Sequence, residues 1–241
     1  MFCLPVPKDR FQTTTPWVLI AIAVIDALLL LPVFGSQKVS FFAHYALVPQ
    51  HPTLLTLVTA IFLHIGLWHY IGNMWFLWIF GRKVECVLGH VRFAALYLLS
   101  GIGGQLLHLL FNLHSPIPLV GASGAISGVA GLYFILFPAD RFHLHLYLGY
   151  WRVKTFDTTT RSAVGAWFGE QTLLGLLTRL SAFTSVAFWA HVGGFLVGAA
   201  AGAVFNARVP AAKRREIPLI AMLEEGDNQE QRSELTTLKL S

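Results

Sequence analysis

Charged residues are scarce in this chain. Only 12% of its 241 residues are Asp, Glu, Lys or Arg, whereas 55% are hydrophobic and the mean hydropathy is +0.62. A soluble globular domain carries about 25% charged residues, so the composition disfavours a water-soluble protein and predicts several membrane-spanning helices. The net charge of +5 does not indicate nucleic-acid binding, because the basic residues lie between apolar segments, where loops face anionic lipid.

Cysteine and metal-ligand motifs are equally sparse. Cys3 and Cys86 are the only cysteines and belong to no ligand cluster, so the sequence predicts no disulfide framework, metal site or other cofactor. No histidine is followed by glutamate, which excludes the zinc-protease motif His-Glu-x-x-His. The acids inside apolar segments are Asp26 and Glu170, so the sequence lacks the paired intramembrane aspartates of another kind of membrane protease. We expect Asp26 and Glu170 to be structural hydrogen-bond partners.

The chain instead contains six apolar runs of about 20 residues, the length that an α-helix needs to cross a bilayer. The runs lie at 17–35, 61–81, 93–113, 119–138, 162–180 and 184–206. They predict an all-α membrane protein whose six-helix transmembrane core covers residues 15–206. A cytoplasmic segment, 1–14, precedes this core, and a polar cytoplasmic tail, 207–241, expected to be disordered, follows it.

Lysine and arginine are unevenly distributed among the loops. With both termini inside, the inner segments hold most of them, including Arg82, Lys83 and Arg92, whereas the outer segments hold only Lys38 and Arg179. Cytoplasmic loops carry an excess of basic residues in membrane proteins. The distribution therefore predicts an N-in, C-in topology.

Polar residues near the outer ends of the fourth and sixth runs stand out. In the stretch LVGASGAISG, Ser123 lies in a stripe of small residues: Gly121, Gly124, Gly128 and Gly131. Such stripes let membrane helices pack closely, so a packing motif explains this one as well as a nucleophile does. In the sixth run, His191 shares a helical face with Gly194, Gly198 and Gly202. A lone membrane histidine can simply make an interhelical hydrogen bond, but intramembrane ionisable residues often mark functional sites.

The second run adds two histidines and an asparagine. His69 and Asn73 are four residues apart and share a helical face, while His64 precedes them nearer the outer surface. These residues either line a water-filled cleft or provide hydrogen-bond donors for a developing oxyanion. Five further histidines have no convergent partners and receive no function: His90, His108, His114, His143 and His145.

Together these residues resemble the rhomboid family of intramembrane serine proteases over about residues 50–206. The resemblance rests on four motifs in the family's order: His64-x4-His69-x3-Asn73, Gly81-x3-Glu85-x3-Gly89, Gly121-Ala122-Ser123-Gly124, and Ala190-His191 followed by Gly194, Gly198 and Gly202. It implies a six-transmembrane helical bundle of rhomboid type.

The resemblance also implies roles for individual residues. Ser123 would be the nucleophile and His191 its general base, in a dyad without an acidic third member, with packing along the glycine face holding the imidazole. His69, Asn73 and the backbone amide of Ser123 would form the oxyanion hole, and Gly121 would leave room for the substrate carbonyl. The structural motif residues would be His64, Gly81, Glu85, Gly89, Gly194 and Gly198.

The implied activity is cleavage of single-pass transmembrane proteins near the extracytoplasmic face of the plasma (inner) membrane. The enzyme would be a multi-pass protein in the lipid bilayer, with no metal, cofactor or nucleic-acid partner. The alternative is a non-catalytic rhomboid-like binder or chaperone of transmembrane helices. Such relatives characteristically lose the serine or the histidine, whereas this chain keeps Ser123 and His191. A small-solute transporter is disfavoured because no repeated pair of interrupted helices is present.

Overall fold

Helices dominate the architecture. The computed structural model describes residues 17–30, 38–148, 151–178 and 187–208. In chain order the elements are α1 Trp17–Leu30, α2 Lys38–Tyr45, α3 Leu54–Thr59, a 3₁₀ turn Ala60–Phe62, α4 Leu67–Leu88, α5 His90–Asn112, α6 Ser123–Leu136, β1 Arg141–Leu148, β2 Trp151–Thr159, α7 Thr160–Leu177 and α8 Phe188–Arg208. The predicted cytoplasmic segment 1–14 lies outside the described residues, as does the predicted tail from residue 209 onward.

Several helices are suited to a bilayer. Among the described residues, two are long and apolar enough to cross a membrane: α5 and, within α8, Phe188–Ala207. The pair Leu54–Phe62 and α4 passes the same test together but is bent by 86° at the break between them. Ile20–Leu29 and α6 are shorter apolar helices. These segments indicate an integral membrane protein, while the six crossings and their orientation stay predictions.

The first residues of α4 and α6 differ from the starts of the predicted apolar runs, because the backbone before each helix is not helical. α4 begins at Leu67 rather than at 61, after an extended Gly66, and continues to Leu88 through charged residues that an apolar window leaves out. α6 begins at Ser123 rather than at 119. Gly121 has a φ of 129°, which lies outside the helical region. Apolar content therefore locates these helices but not their first residues.

The centre of the fold is the contact between α6 and α8. A Cβ atom on Gly194 would overlap the carbonyl group of Gly124, and one on Gly198 would overlap the carbonyl group of Gly128. Backbone thus touches backbone along the two helices, as the spacing of their small residues predicts. This contact fixes the separation of the N-terminal ends of α6 and α8.

Gly198→Ala is expected to destabilise the protein strongly. The added Cβ meets backbone atoms of Gly128, which cannot rotate away as a side chain can. Overpacking costs about 1–3 kcal/mol, and we expect the upper end here, or a fall of about 6–12 °C in the unfolding midpoint for a chain of this size. Thermal unfolding in detergent measures it. The control is Gly169→Ala on α7, whose Cβ would meet nothing within 4 Å, and equal shifts in both variants would contradict the packing account.

A two-stranded antiparallel hairpin follows α6. β1 and β2 pair from Arg141 opposite Thr159 to Leu148 opposite Trp151. The prediction of an all-α chain is wrong here. The signal for β1 is an apolar residue at every second position of RFHLHLYL, the period of a strand. Apolar runs of about 20 residues do not reveal that period.

Asp140 joins this hairpin to the helices. Its carboxylate accepts hydrogen bonds from Nζ of Lys83 and from the Tyr133 hydroxyl, both at 2.5 Å. Its backbone carbonyl accepts one from the N–H of Thr160 at 2.8 Å. The cluster connects the ends of α4 and α6 to the start of α7. It lies about 20 Å along α4 from His69.

The corner between α4 and α5 contains the Gly81, Glu85 and Gly89 motif. Glu85 is 1% exposed, and its carboxylate lies 2.7 Å from Nδ1 of His90. Gly89 has a φ of 76°, and its N–H donates to the Glu85 carbonyl at 2.8 Å. Because glycine adopts this left-handed conformation readily, α4 ends and α5 begins across one residue. The expectation that His90 has no partner is wrong. The corner brings Glu85 and His90 together, although residues five apart do not share a face of a continuous helix.

Candidate active site

Ser123 is the first residue of α6 and follows a tight turn. Gly121 in that turn has a left-handed φ, and its N–H donates to the carbonyl of Ala60 at 2.9 Å. A Cβ atom on Gly121 would lie 2.9 Å from Cε1 of His69, so both the backbone and the space favour glycine. No side chain caps the N-terminus of α6. The N–H groups of its first turn therefore favour negative charge beside Ser123.

His191 lies opposite Ser123. Its Nε2 atom is 2.8 Å from Oγ of Ser123, although 68 residues separate them in sequence. His191 is the fourth residue of α8, which begins at Phe188. It therefore lies closer to the helix end than a run starting at 184 predicts. An imidazole nitrogen at this distance can accept the hydroxyl proton and so activate the serine oxygen.

Gln171 contacts the other side of the imidazole. Its Oε1 atom lies 2.7 Å from Nδ1 of His191. The ring of Trp167, one turn earlier on α7, has its centroid 6.0 Å from that of the imidazole. Packing along the glycine face is therefore not the only interaction that holds His191, because the side-chain amide of Gln171 on α7 also contacts it. The only sequence signal is a glutamine in an apolar helix, and it does not say which neighbouring helix the glutamine faces.

The second group of polar side chains comes from α4. Asn73 is 7% exposed, and its Nδ2 donates to the carbonyl of His69 at 3.0 Å. A side-chain amide has two N–H groups, so this bond orients the Asn73 amide while using one of them. The His69 ring lies beside Gly121, as the close approach of its Cε1 shows. The fold thus places His69 at the turn that precedes Ser123, and Asn73 lines the same cavity as Ser123.

His64 is fully buried behind His69. Its ring centroid lies 5.0 Å from that of His69 and 5.6 Å from that of Tyr70. Nδ1 of His64 is 3.9 Å from Oδ2 of Asp26 on α1, and both side chains are 0% exposed. Asp26 therefore faces His64 rather than His191, so it is not the missing acid of a triad.

One cavity of about 810 Å³ is lined by Ser123, His191, His69 and Asn73. Its other lining residues are mostly apolar or aromatic and come largely from α4, α6 and α7, among them Trp68, Phe76, Ile126, Val164 and Trp167. Apolar walls with a few convergent polar groups are typical of ligand sites of this size. Six predicted motif residues lie away from the lining: His64, Gly81, Glu85, Gly89, Gly194 and Gly198.

The fold and the site define a helical membrane protein in which a serine and a histidine are hydrogen-bonded in a cavity among apolar helices. Comparison with known proteins identifies its family. A rhomboid domain model matches residues 51–208, well over half of the chain and every residue of the candidate site. The chain belongs to the rhomboid family.

Individual relatives match parts of the chain. Rhomboid protein 1, mitochondrial, from Saccharomyces cerevisiae is 30% identical over 167 residues, which are 68% of this chain and 45% of that protein. Rhomboid protease GluP from Bacillus subtilis is 45% identical over 75 residues, 31% of this chain and 14% of that protein. RHOMBOID-like protein 6, mitochondrial, from Arabidopsis thaliana is 45% identical over 75 residues, which are 31% of this chain and 24% of that protein. The chain spans less than half the length of each of these relatives.

Proposed function

We propose that this chain is a serine endopeptidase that cleaves transmembrane segments of other proteins within the bilayer. The observation that carries the proposal is the 2.8 Å contact between Oγ of Ser123 and Nε2 of His191, in a cavity lined by apolar helices. Membership of the rhomboid family supports it, and one relative is named a protease.

In the proposed reaction, Oγ of Ser123 attacks the carbonyl carbon of the peptide while Nε2 of His191 accepts the hydroxyl proton. The carbonyl oxygen becomes an oxyanion, which accepts hydrogen bonds from Asn73, His69 and the N–H of Ser123. When the C–N bond breaks, His191 returns the proton to the departing amine, and an acyl ester remains on Ser123. A water molecule that gives its proton to His191 then hydrolyses the ester and regenerates the serine.

The proposed substrate is a single-pass transmembrane helix that unwinds locally, because a helical carbonyl is otherwise hydrogen-bonded within its own segment. Aromatic and apolar cavity walls suit a segment that arrives from lipid. We place the cavity opening on the extracytoplasmic side of the plasma (inner) membrane. The support is that Arg82 and Lys83 lie far along α4 from His69, and basic residues favour the cytoplasmic side.

Cleavage of a single-pass model substrate, co-reconstituted with the protein in liposomes, tests this proposal. Mass spectrometry of the fragments identifies the new N-terminus. We expect it in the half of the transmembrane segment nearer the extracytoplasmic face, because the site lies near that end of α4, α6 and α8. A cut in the cytoplasmic half would contradict the proposed orientation. Liposomes containing Ser123→Ala provide the background, and retention of the intact segment by the wild type would favour a non-catalytic binder.

A further inference from the structure

We propose that Gln171 is a positioning residue that fixes the tautomer of His191, in a Gln171–His191–Ser123 array across α7, α8 and α6. The inference rests on the proposed function, because it gives His191 the role of general base. Oε1 of Gln171 is 2.7 Å from Nδ1, and Oγ of Ser123 is 2.8 Å from Nε2. Both imidazole nitrogens are therefore engaged, each by a different helix.

The chemistry of the two contacts determines where the proton lies. A neutral imidazole carries its proton on one nitrogen, and an amide oxygen can only accept. Contact with Oε1 of Gln171 therefore requires the proton on Nδ1, which leaves the Nε2 lone pair facing Ser123. If the NH₂ group of Gln171 faced Nδ1 instead, the proton would lie on Nε2 and His191 would not be a base. The orientation of this amide thus decides whether the serine can be activated.

Packing between α7 and α8 holds Gln171 in place. The rings of Phe168 and Phe195 stack with centroids 4.2 Å apart and an interplanar angle of 22°. One turn after Gln171, Gly175 allows close approach of Trp189, since a Cβ there would lie 3.2 Å from Cε2 of the indole. Gln171 itself is 7% exposed, so water competes little for its amide. A polar group locked by its neighbours in this way can orient the residue it contacts.

A neutral amide suits this position better than a carboxylate does. The carboxylates of Asp26, Glu85 and Asp140 contact other groups, namely His64, His90 and Lys83. A carboxylate beside His191 would place a further charge among apolar helices, which is unfavourable. The amide supplies the acceptor oxygen that soluble triads take from aspartate, and it does so without that charge.

Two substitutions of Gln171 test the assignment. Gln171→Met keeps the length of the side chain but removes the acceptor. We expect the rate of fluorophosphonate labelling to fall about 10–100-fold, part of the 10²–10⁴-fold that a positioned general base supplies, with little change in the unfolding midpoint. Gln171→Glu keeps an acceptor oxygen and is expected to recover most of the lost rate. In ¹⁵N NMR of histidine-labelled protein, His191 should carry its proton on Nδ1 in the wild type and become a tautomer mixture in Gln171→Met.

The matched control is Glu170→Gln, a change at the adjacent exposed position of α7, which should leave rate and spectrum unchanged. A wild-type rate in Gln171→Met, equal losses in the Met and Glu variants, or a wild-type spectrum with the proton on Nε2 would each overturn the proposal. If the wild-type protein is not labelled at all, the proposed function fails. The NMR spectrum then still decides whether Gln171 sets the tautomer, so the two failures are distinguishable.

Discussion

Ser123→Ala and His191→Ala are each expected to abolish cleavage of a transmembrane substrate. The 2.8 Å contact between these two side chains joins the attacking oxygen to the group that takes its proton, so neither is useful without the other. In a soluble serine protease, removing either partner costs about 10⁶-fold in kcat. Initial rates in proteoliposomes, with each variant shown to be folded by its thermal unfolding, measure the effect.

Ser127 is the matched control for this prediction. It lies one turn after Ser123 on α6, is 3% exposed, and its hydroxyl donates to the Ser123 carbonyl at 2.6 Å. Ser127→Ala removes a hydroxyl from the same helix but not from the contact with His191, so most of the activity should remain. Similar losses in the two serine variants, or substantial cleavage by Ser123→Ala, would refute the nucleophile assignment.

Asn73→Ala is expected to lower kcat by about 10²–10³-fold, the loss seen when one oxyanion-hole donor is removed from a serine protease. One N–H of the Asn73 amide is held by the His69 carbonyl at 3.0 Å. This bond orients the second N–H, which we assign to the oxyanion. Because the oxyanion forms only in the transition state, kcat should fall while KM changes little. Steady-state kinetics on a quenched transmembrane peptide separate the two constants.

Asn112 offers a control with the same local geometry. On α5, its Nδ2 donates to the carbonyl of His108, four residues earlier, at 2.9 Å, as that of Asn73 does to His69 on α4. Asn112 is not among the residues that line the cavity. Asn112→Ala should therefore keep the wild-type kcat. An unchanged kcat in Asn73→Ala, or a loss of the same size in Asn112→Ala, would show that the amide does not act on the oxyanion.

The residues that sequence alone can single out as candidates are those whose chemistry is conspicuous in an apolar chain. Ser123 among glycines and His191 on a glycine face stand out because polar groups are rare in membrane helices. The spacing of Gly194 and Gly198 also indicates which face of α8 meets another helix. Helical periodicity and membrane depth are local properties, so one sequence is sufficient to read them.

What sequence could not provide is the set of contacts that depend on how whole helices rotate against each other. Gln171 reaches Nδ1 of His191 only because α7 presents that face to α8. The pairing of Glu85 with His90 depends on the corner at Gly89, and the start of α6 depends on a left-handed φ at Gly121. In the hairpin, the apolar residues of β1 recur at every second position, a period that long apolar runs do not reveal.

The most direct test of the central claim is the reaction of the purified wild-type protein with a fluorophosphonate, followed by intact mass and peptide mapping. We predict a single covalent adduct on Ser123, absent from Ser123→Ala and from His191→Ala. Such an adduct would show that His191 activates this serine. The contrary result is no adduct on folded protein while an active rhomboid protease is labelled in parallel. It would contradict the assignment of Ser123 as an activated nucleophile and favour the alternative, a non-catalytic binder of transmembrane helices.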